Sequence, residues 1–160
     1  MLFRRSIVGV LALAMATPAS AHGPAPSGGR PGDPAKATRT IEVVAIDNAF
    51  SLKALDVRDG ETVRFVVRND GRDPHELTIG TVAEHAEHRL QMKAMMEQMK
   101  KSGHAGHSMA DMAHEGGVWV EPGKTASFVW IFARTPDLEF ACNMPGHYED
   151  GMKGAIRFVK

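Results

Sequence analysis

The chain has 160 residues, with 19 basic and 19 acidic side chains, eight histidines, ten methionines and one cysteine. Setting aside an N-terminal segment of 21 residues that holds two of the basic groups leaves 139 residues, one domain's worth, at a net charge of 17 − 19 = −2. That balance gives no case for a nucleic-acid partner, and no second apolar run is long enough to span a bilayer.

Residues 1–21 carry Arg4 and Arg5, an apolar run over 7–16, and then Ala19-Ser20-Ala21. This is the pattern of a secretory signal peptide with a small-residue cleavage site, and it predicts export to the periplasm by the general route. Residues 22–39 have prolines at 24, 26, 31 and 34 and no hydrophobic period, which predicts a disordered or extended leader. A domain over 40–160 follows. Strand-like runs are expected at 40–46, 55–58, 61–69 and 75–80, with Asp59-Gly60 and Asp70-Gly71 as turns. More come at 118–121, 125–132, 138–142 and 153–159, with Pro122-Gly123 turning between the first two. Trp119, Trp130, Phe65, Phe128, Phe140 and Phe158 lie on these runs and read as core. Seven or eight short strands with regular turn signals predict an all-β fold, a Greek-key β-sandwich.

Residues 81–116 interrupt that rhythm. Thr81-Val-Ala-Glu84 is a capping box, and 82–101 contains no Gly or Pro, so a helix of about twenty residues is expected. His85, His88, Met92, Met95, Met96 and Met99 advance by three or four and share a face. His104, His107, Met109, Met112 and His114 follow on a glycine-containing loop. A helix packed on a sandwich would show the same period. This stripe, however, uses Met and His where a core stripe draws on Leu, Ile and Val, and only Val82 and Leu90 are of that kind. Thioethers select Cu(I) and imidazoles take either copper oxidation state, so these eleven side chains are candidate auxiliary copper ligands. Because the insert enters and leaves between two strands, its removal is expected to spare the sandwich. His22 would begin the mature chain and could chelate Cu(II) with its α-amino group; an accident of cleavage is the favoured explanation.

The chemistry concentrates in residues 142–152, Cys-Asn-Met-Pro-Gly-His-Tyr-Glu-Asp-Gly-Met. Pro145, Gly146 and Gly151 make this stretch a loop, and Cys142, His147 and Met152 place a thiolate, an imidazole and a thioether on it. One thiolate, two imidazoles and a weak axial thioether define a blue-copper site. His75, in Asp-Pro-His-Glu-Leu after a strand and a turn, is the best candidate for the second imidazole. The competing reading of Cys142 is a small buried hydrophobe. A lone thiol in an oxidising compartment cannot form an internal disulfide, and a metal would protect it from oxidation. Met144 reads as packing and Asn143 as support for the loop through backbone hydrogen bonds.

His75 with Cys142, His147 and Met152, four residues in each loop gap, resembles the cupredoxins, the blue-copper β-sandwiches related to plastocyanin, azurin and the auracyanins. Pro-Gly-His and Gly-Met-Lys-Gly are similar to signatures of that family, and the resemblance covers roughly 40–80 and 117–160. It implies those four residues as type 1 copper ligands. One position departs from the pattern: Asn often follows the upstream His and ties down the Cys loop, and here Glu76 stands there.

Three function classes follow. An enzyme is poorly supported, because multicopper oxidases and copper nitrite reductases need further copper centres and at least a second such domain. A single-electron carrier between periplasmic redox partners would use the four-ligand site alone. A copper-handling protein would use that site plus the insert, and within the family the chain looks most like periplasmic cupredoxins associated with copper tolerance. Copper binding in tolerance is the expectation, by a monomer that deals with copper ions and a periplasmic redox or copper-trafficking protein.

Overall fold

Residues 62–69 show how the sheets arise. Val63, Phe65 and Val67 point inward and Arg64 and Arg68 outward, the period of two that a half-buried strand requires. The computed structural model describes residues 27–102 and 116–160. Their order is β1 (Gly29–Pro31), β2 (Arg39–Ile46), β3 (Ala49–Phe50), β4 (Ala54–Val57), β5 (Thr62–Asn69), β6 (His75–Thr81), α1 (Val82–Ser102), β7 (Gly117–Val120), β8 (Thr125–Phe132), β9 (Leu138–Ala141) and β10 (Lys153–Phe158). Two five-stranded sheets form, in the orders β1-β8-β5-β2-β3 and β4-β10-β9-β6-β7. The β2–β5 and β4–β10 pairs are parallel and the other pairings antiparallel. The expected β-sandwich with one inserted helix is therefore present.

Trp130, Phe65, Phe132, Phe140 and Phe50 fill the space between the sheets and are fully buried. Each such side chain contributes roughly 1.5–3 kcal/mol relative to exposure. Trp119, Phe128 and Phe158 pack against this core from partly buried positions.

Part of the leader is extended and paired, and is not disordered. Residues 29–31 pair with Phe132, Ile131 and Trp130 as an edge strand, and residues 34–36 form a turn of 3-10 helix capped by the Asp33 carboxylate. Trp130 Nε1 donates to the Gly28 carbonyl at 3.2 Å. The ordering is carried by backbone hydrogen bonds, which leave no hydrophobic period in a sequence.

Helix α1 starts where the capping box placed it. Thr81 N–H donates to Glu84 Oε2 at 2.7 Å, and Glu84 N–H donates to Thr81 Oγ1 at 3.3 Å. Its buried face is unusual. Val82 and Leu90 are exposed, while His85, His88 and Met92 are buried. The face opposite them explains this: β6 is buried over six successive residues, and Glu76 and Thr78 are among its buried polar side chains. A helix covering polar groups must bring polar partners. No described helix is long and apolar enough to cross a membrane. The expected signal segment 1–21 lies outside the described residues.

Candidate metal centre

The His75 ring is carried by the first residue of β6 and is fully buried. The loop before it is held by two residues that local patterning does not reveal. Asn69, at the end of β5, donates from Nδ2 to the carbonyls of Asp73 (2.8 Å) and Val120 (2.9 Å) and accepts from Gly71 N–H through Oδ1. Asp47 Oδ1 accepts the N–H groups of Arg72 (2.8 Å) and Asp73 (3.2 Å). Those two backbone donors hold the Asp47 carboxyl below its ordinary value. The same oxygen lies 3.5 Å from His75 Nε2. That is too long for a good hydrogen bond, so the buried nitrogen has no hydrogen-bond partner.

The loop 142–152 folds back on itself. Gly146 and Gly151 both have φ +93°, a left-handed conformation that suits glycine, and they directly precede His147 and Met152. Cys142 N–H donates to Met152 O (3.0 Å) and Met152 N–H to His147 O (2.9 Å), which joins all three predicted loop ligands through the backbone. His147 Nδ1 lies 3.2 Å from His75 Nδ1 and 3.4 Å from Cys142 Sγ. The ligand atoms of His75, Cys142 and His147 all fall within 4.8 Å of one another, and all three residues are buried. Met152 is fully buried as well.

This donor set fits a soft metal. Two Nδ1 atoms and a thiol sulfur converge, and soft sulfur with imidazole suits copper. Burial, then the neighbouring His147 ring, hold His75 below the usual imidazole value against the pull of Asp47, so the ring is kept neutral, as a ligand must be. Burial, reinforced by the Glu76 charge, pushes the Cys142 thiol up to about 12. The sulfur therefore keeps its proton until a cation displaces it.

Around the ligands lies a buried polar network. Glu76 Oε1 accepts from Asn143 N–H (2.9 Å) and from Asn143 Nδ2 (2.7 Å), and Nδ2 also donates to Thr78 Oγ1 (2.8 Å). Glu76 thus ties down the Cys loop in the place where Asn is usual. Asn143 acts through its side chain as well as its backbone. Burial alone would raise the Glu76 carboxyl; the His88 imidazole and the Asn143 donors outweigh it and leave it lowered. His88 Nε2 lies 3.2 Å from Glu76 Oε1. His85 Nδ1 lies 3.1 Å from Asn143 Oδ1, and its Nε2 lies 3.3 Å from the Glu139 carbonyl. Because Asn143 Nδ2 is committed to Glu76 and Thr78, the Oδ1 atom faces His85 and takes its N–H.

These contacts revise the auxiliary set. Among the expected insert ligands, His85 and His88 hydrogen-bond to the sandwich and Met92, 2 % exposed, belongs to its hydrophobic cluster. Met95 and Met96 pack against that cluster from partly buried positions, and Met99 is half-buried. His104, His107, Met109, Met112, His114 and His22 lie outside the described residues.

No family model matches the chain. It is 43% identical over 167 residues to "Copper-resistant cuproprotein CopI" of Pseudomonas aeruginosa, covering 94% of this chain and 91% of that one. The chain belongs to the CopI family. The CopI of Rubrivivax gelatinosus is 43% identical over 131 residues, covering 80% of this chain and 71% of its own. Among solved structures, auracyanin B superimposes with a TM-score of 0.62 at 19% identity over 85% of this chain and 99% of its own. At that identity the likeness establishes the cupredoxin fold alone, which this CopI family member shares.

Proposed function

We propose that this protein binds copper through His75, Cys142 and His147, with Met152 as a weak axial donor, and serves copper tolerance in the periplasm. The observation that carries the reading is the convergence of three buried soft and borderline donors within 4.8 Å, two of them on one tight loop. Membership of a family whose relatives are named copper-resistant cuproproteins supports it. Bound there, copper would supply a reversible Cu(II)/Cu(I) couple and a thiolate-to-metal charge-transfer band. The protein's own part is to hold neutral imidazoles and a shielded thiol in a fixed, buried arrangement. This is a binding protein and not an enzyme.

The reading includes further copper on the insert. Met95, Met96 and Met99 are the described thioethers still partly open to solvent, and the loop histidines and methionines extend the same composition. The packing of His85, His88 and Met92 favours the competing use, single-electron carriage, because it leaves fewer insert donors for capacity.

The test is colour followed by physiology. Purified Cu(II)-loaded protein should be strongly coloured, and Cys142→Ser should abolish the band, because a hydroxyl is a hard, weakly acidic ligand. An intensely coloured Cys142→Ser protein sinks the assignment. Cells lacking the protein should become copper-sensitive. If they do not, single-electron transfer to a periplasmic redox partner becomes the better reading.

A further inference from the structure

Three helix residues within one turn reach the surroundings of the ligand loop. His85, His88 and Arg89 lie on one face of α1, at spacings of three and four. His85 meets Asn143, the residue after Cys142. His88 meets Glu76, the residue after His75. Arg89 Nε lies 3.2 Å from Glu149 Oε1, and its guanidinium sits 3.8 Å from the centroid of the Tyr148 ring, the residue after His147. Each of the three converging ligands therefore has a sequence neighbour gripped by the helix. A strand pairing alone would not produce this. The β6–β9 ladder stops at Thr78↔Ala141, so Glu76 and Asn143 are joined across the sheet end by side-chain contacts.

We propose that α1 is a positioning element of the copper centre: His88 through Glu76, and His85 through Asn143, fix the turn carrying Cys142 against the strand end carrying His75. The inference rests on the copper assignment above. The alternative is that the same contacts only seal a helix onto a sheet. The two differ in what they do to the metal. Groups that orient ligands typically change metal affinity 10–100-fold when lost, whereas a seal changes stability without changing the site.

The experiment uses the full chain and Cu(II) itself. His88→Leu removes the donor to Glu76 while retaining an apolar side chain, and His88→Gln keeps a donor near the position of Nε2. Cu(II) affinity is read by chelator competition, the charge-transfer band by absorbance, and the Asn143 amide by hydrogen exchange in copper-free protein. The expected result for His88→Leu is Cu(II) binding weaker by roughly 10–100-fold, a shifted band, and faster exchange at Asn143. His88→Gln should restore all three towards wild type. Since His88→Leu leaves a buried carboxylate without its imidazole, Glu76→Gln/His88→Leu is the variant that keeps the question answerable if the single variant does not fold. It should fold and still show the shifted band. Wild-type affinity, band and exchange in a folded His88→Leu or double variant overturn the inference. Colourless wild-type protein would instead refute the copper assignment, so the two failures are distinguishable.

Discussion

Replacing Met92 by Ala separates packing from ligation on the methionine face of α1. Met92 is 2 % exposed and belongs to the hydrophobic cluster that includes Leu77 and Phe140. Truncating a buried Met to Ala costs about 2–5 kcal/mol, the lost transfer energy plus that of the cavity left behind. Near-complete burial against the sheet that carries β6 and β9 leaves little room for collapse, so about 3 kcal/mol is expected here. For a domain of this size each kcal/mol moves Tm by roughly 3–5 °C, which gives a fall near 10 °C. Thermal unfolding should be followed by circular dichroism on copper-free protein, so that metal linkage adds nothing. Met92→Leu conserves volume and should cost less than about 1.5 kcal/mol. By contrast, Leu at positions 95, 96 and 99 should leave Tm nearly unchanged and lower Cu(I) uptake in a titration. A Met92→Ala protein that melts with wild type, or that loses Cu(I) without losing Tm, refutes the division of this face.

Further expectations concern the centre and its surroundings. Met152→Leu should retain copper and raise the reduction potential, because a weak axial donor is lost; voltammetry showing an unchanged potential would remove Met152 from the ligand set. A Cβ on Gly71 would run into the Asp47 carboxylate that holds the His75 loop. Gly71→Ala should therefore cost roughly 1–3 kcal/mol and weaken Cu(II) binding, whereas binding at wild-type strength would show that Asp47 is not needed to position His75. Burial holds His85 below its ordinary value of 6.5, so as pH falls the unfolded chain takes up that proton first. This contribution to copper-free stability is thus intact above pH 6.5 and is lost as pH drops toward the folded value. His85→Gln should flatten that part of the denaturation profile, and an unchanged slope would mean that His85 is not the group responsible.

How much of this was legible in the chain follows from the range of each interaction. The loop ligands could be read because their spacing and their Pro and Gly residues act within eleven positions. The capping box could be read for the same reason, since Thr81 and Glu84 serve each other. The orientation of α1 could not. Its His/Met stripe is compatible with solvent, metal or packing, and only the polar strand beneath it, with Glu76 and Thr78 buried, decides that His85, His88 and Met92 turn inward. The expectation that removing the insert spares the sandwich must therefore be tested against the burial of those three side chains. Asp47 and Asn69 gave no signal, because Asp47 acts on a loop 25 residues away and Asn69 on a carbonyl 51 residues away. The strand at 29–31 was missed because it is held through its main chain.

The strand pairings that frame the centre also set when it can exist. β4 pairs with β10 about a hundred residues further along, and His75 meets His147 across 72 positions. Topologies dominated by such distant contacts fold slowly, in milliseconds to seconds. The loop 142–152 can bring a thiol, one imidazole and a thioether together early, yet the second imidazole arrives only when the sheets close. Completion of the four-ligand site is then a late event that reports the closing of the sheets. In a refolding experiment with Cu(II) present, the full colour of the four-ligand site should lag or match the change in tryptophan fluorescence.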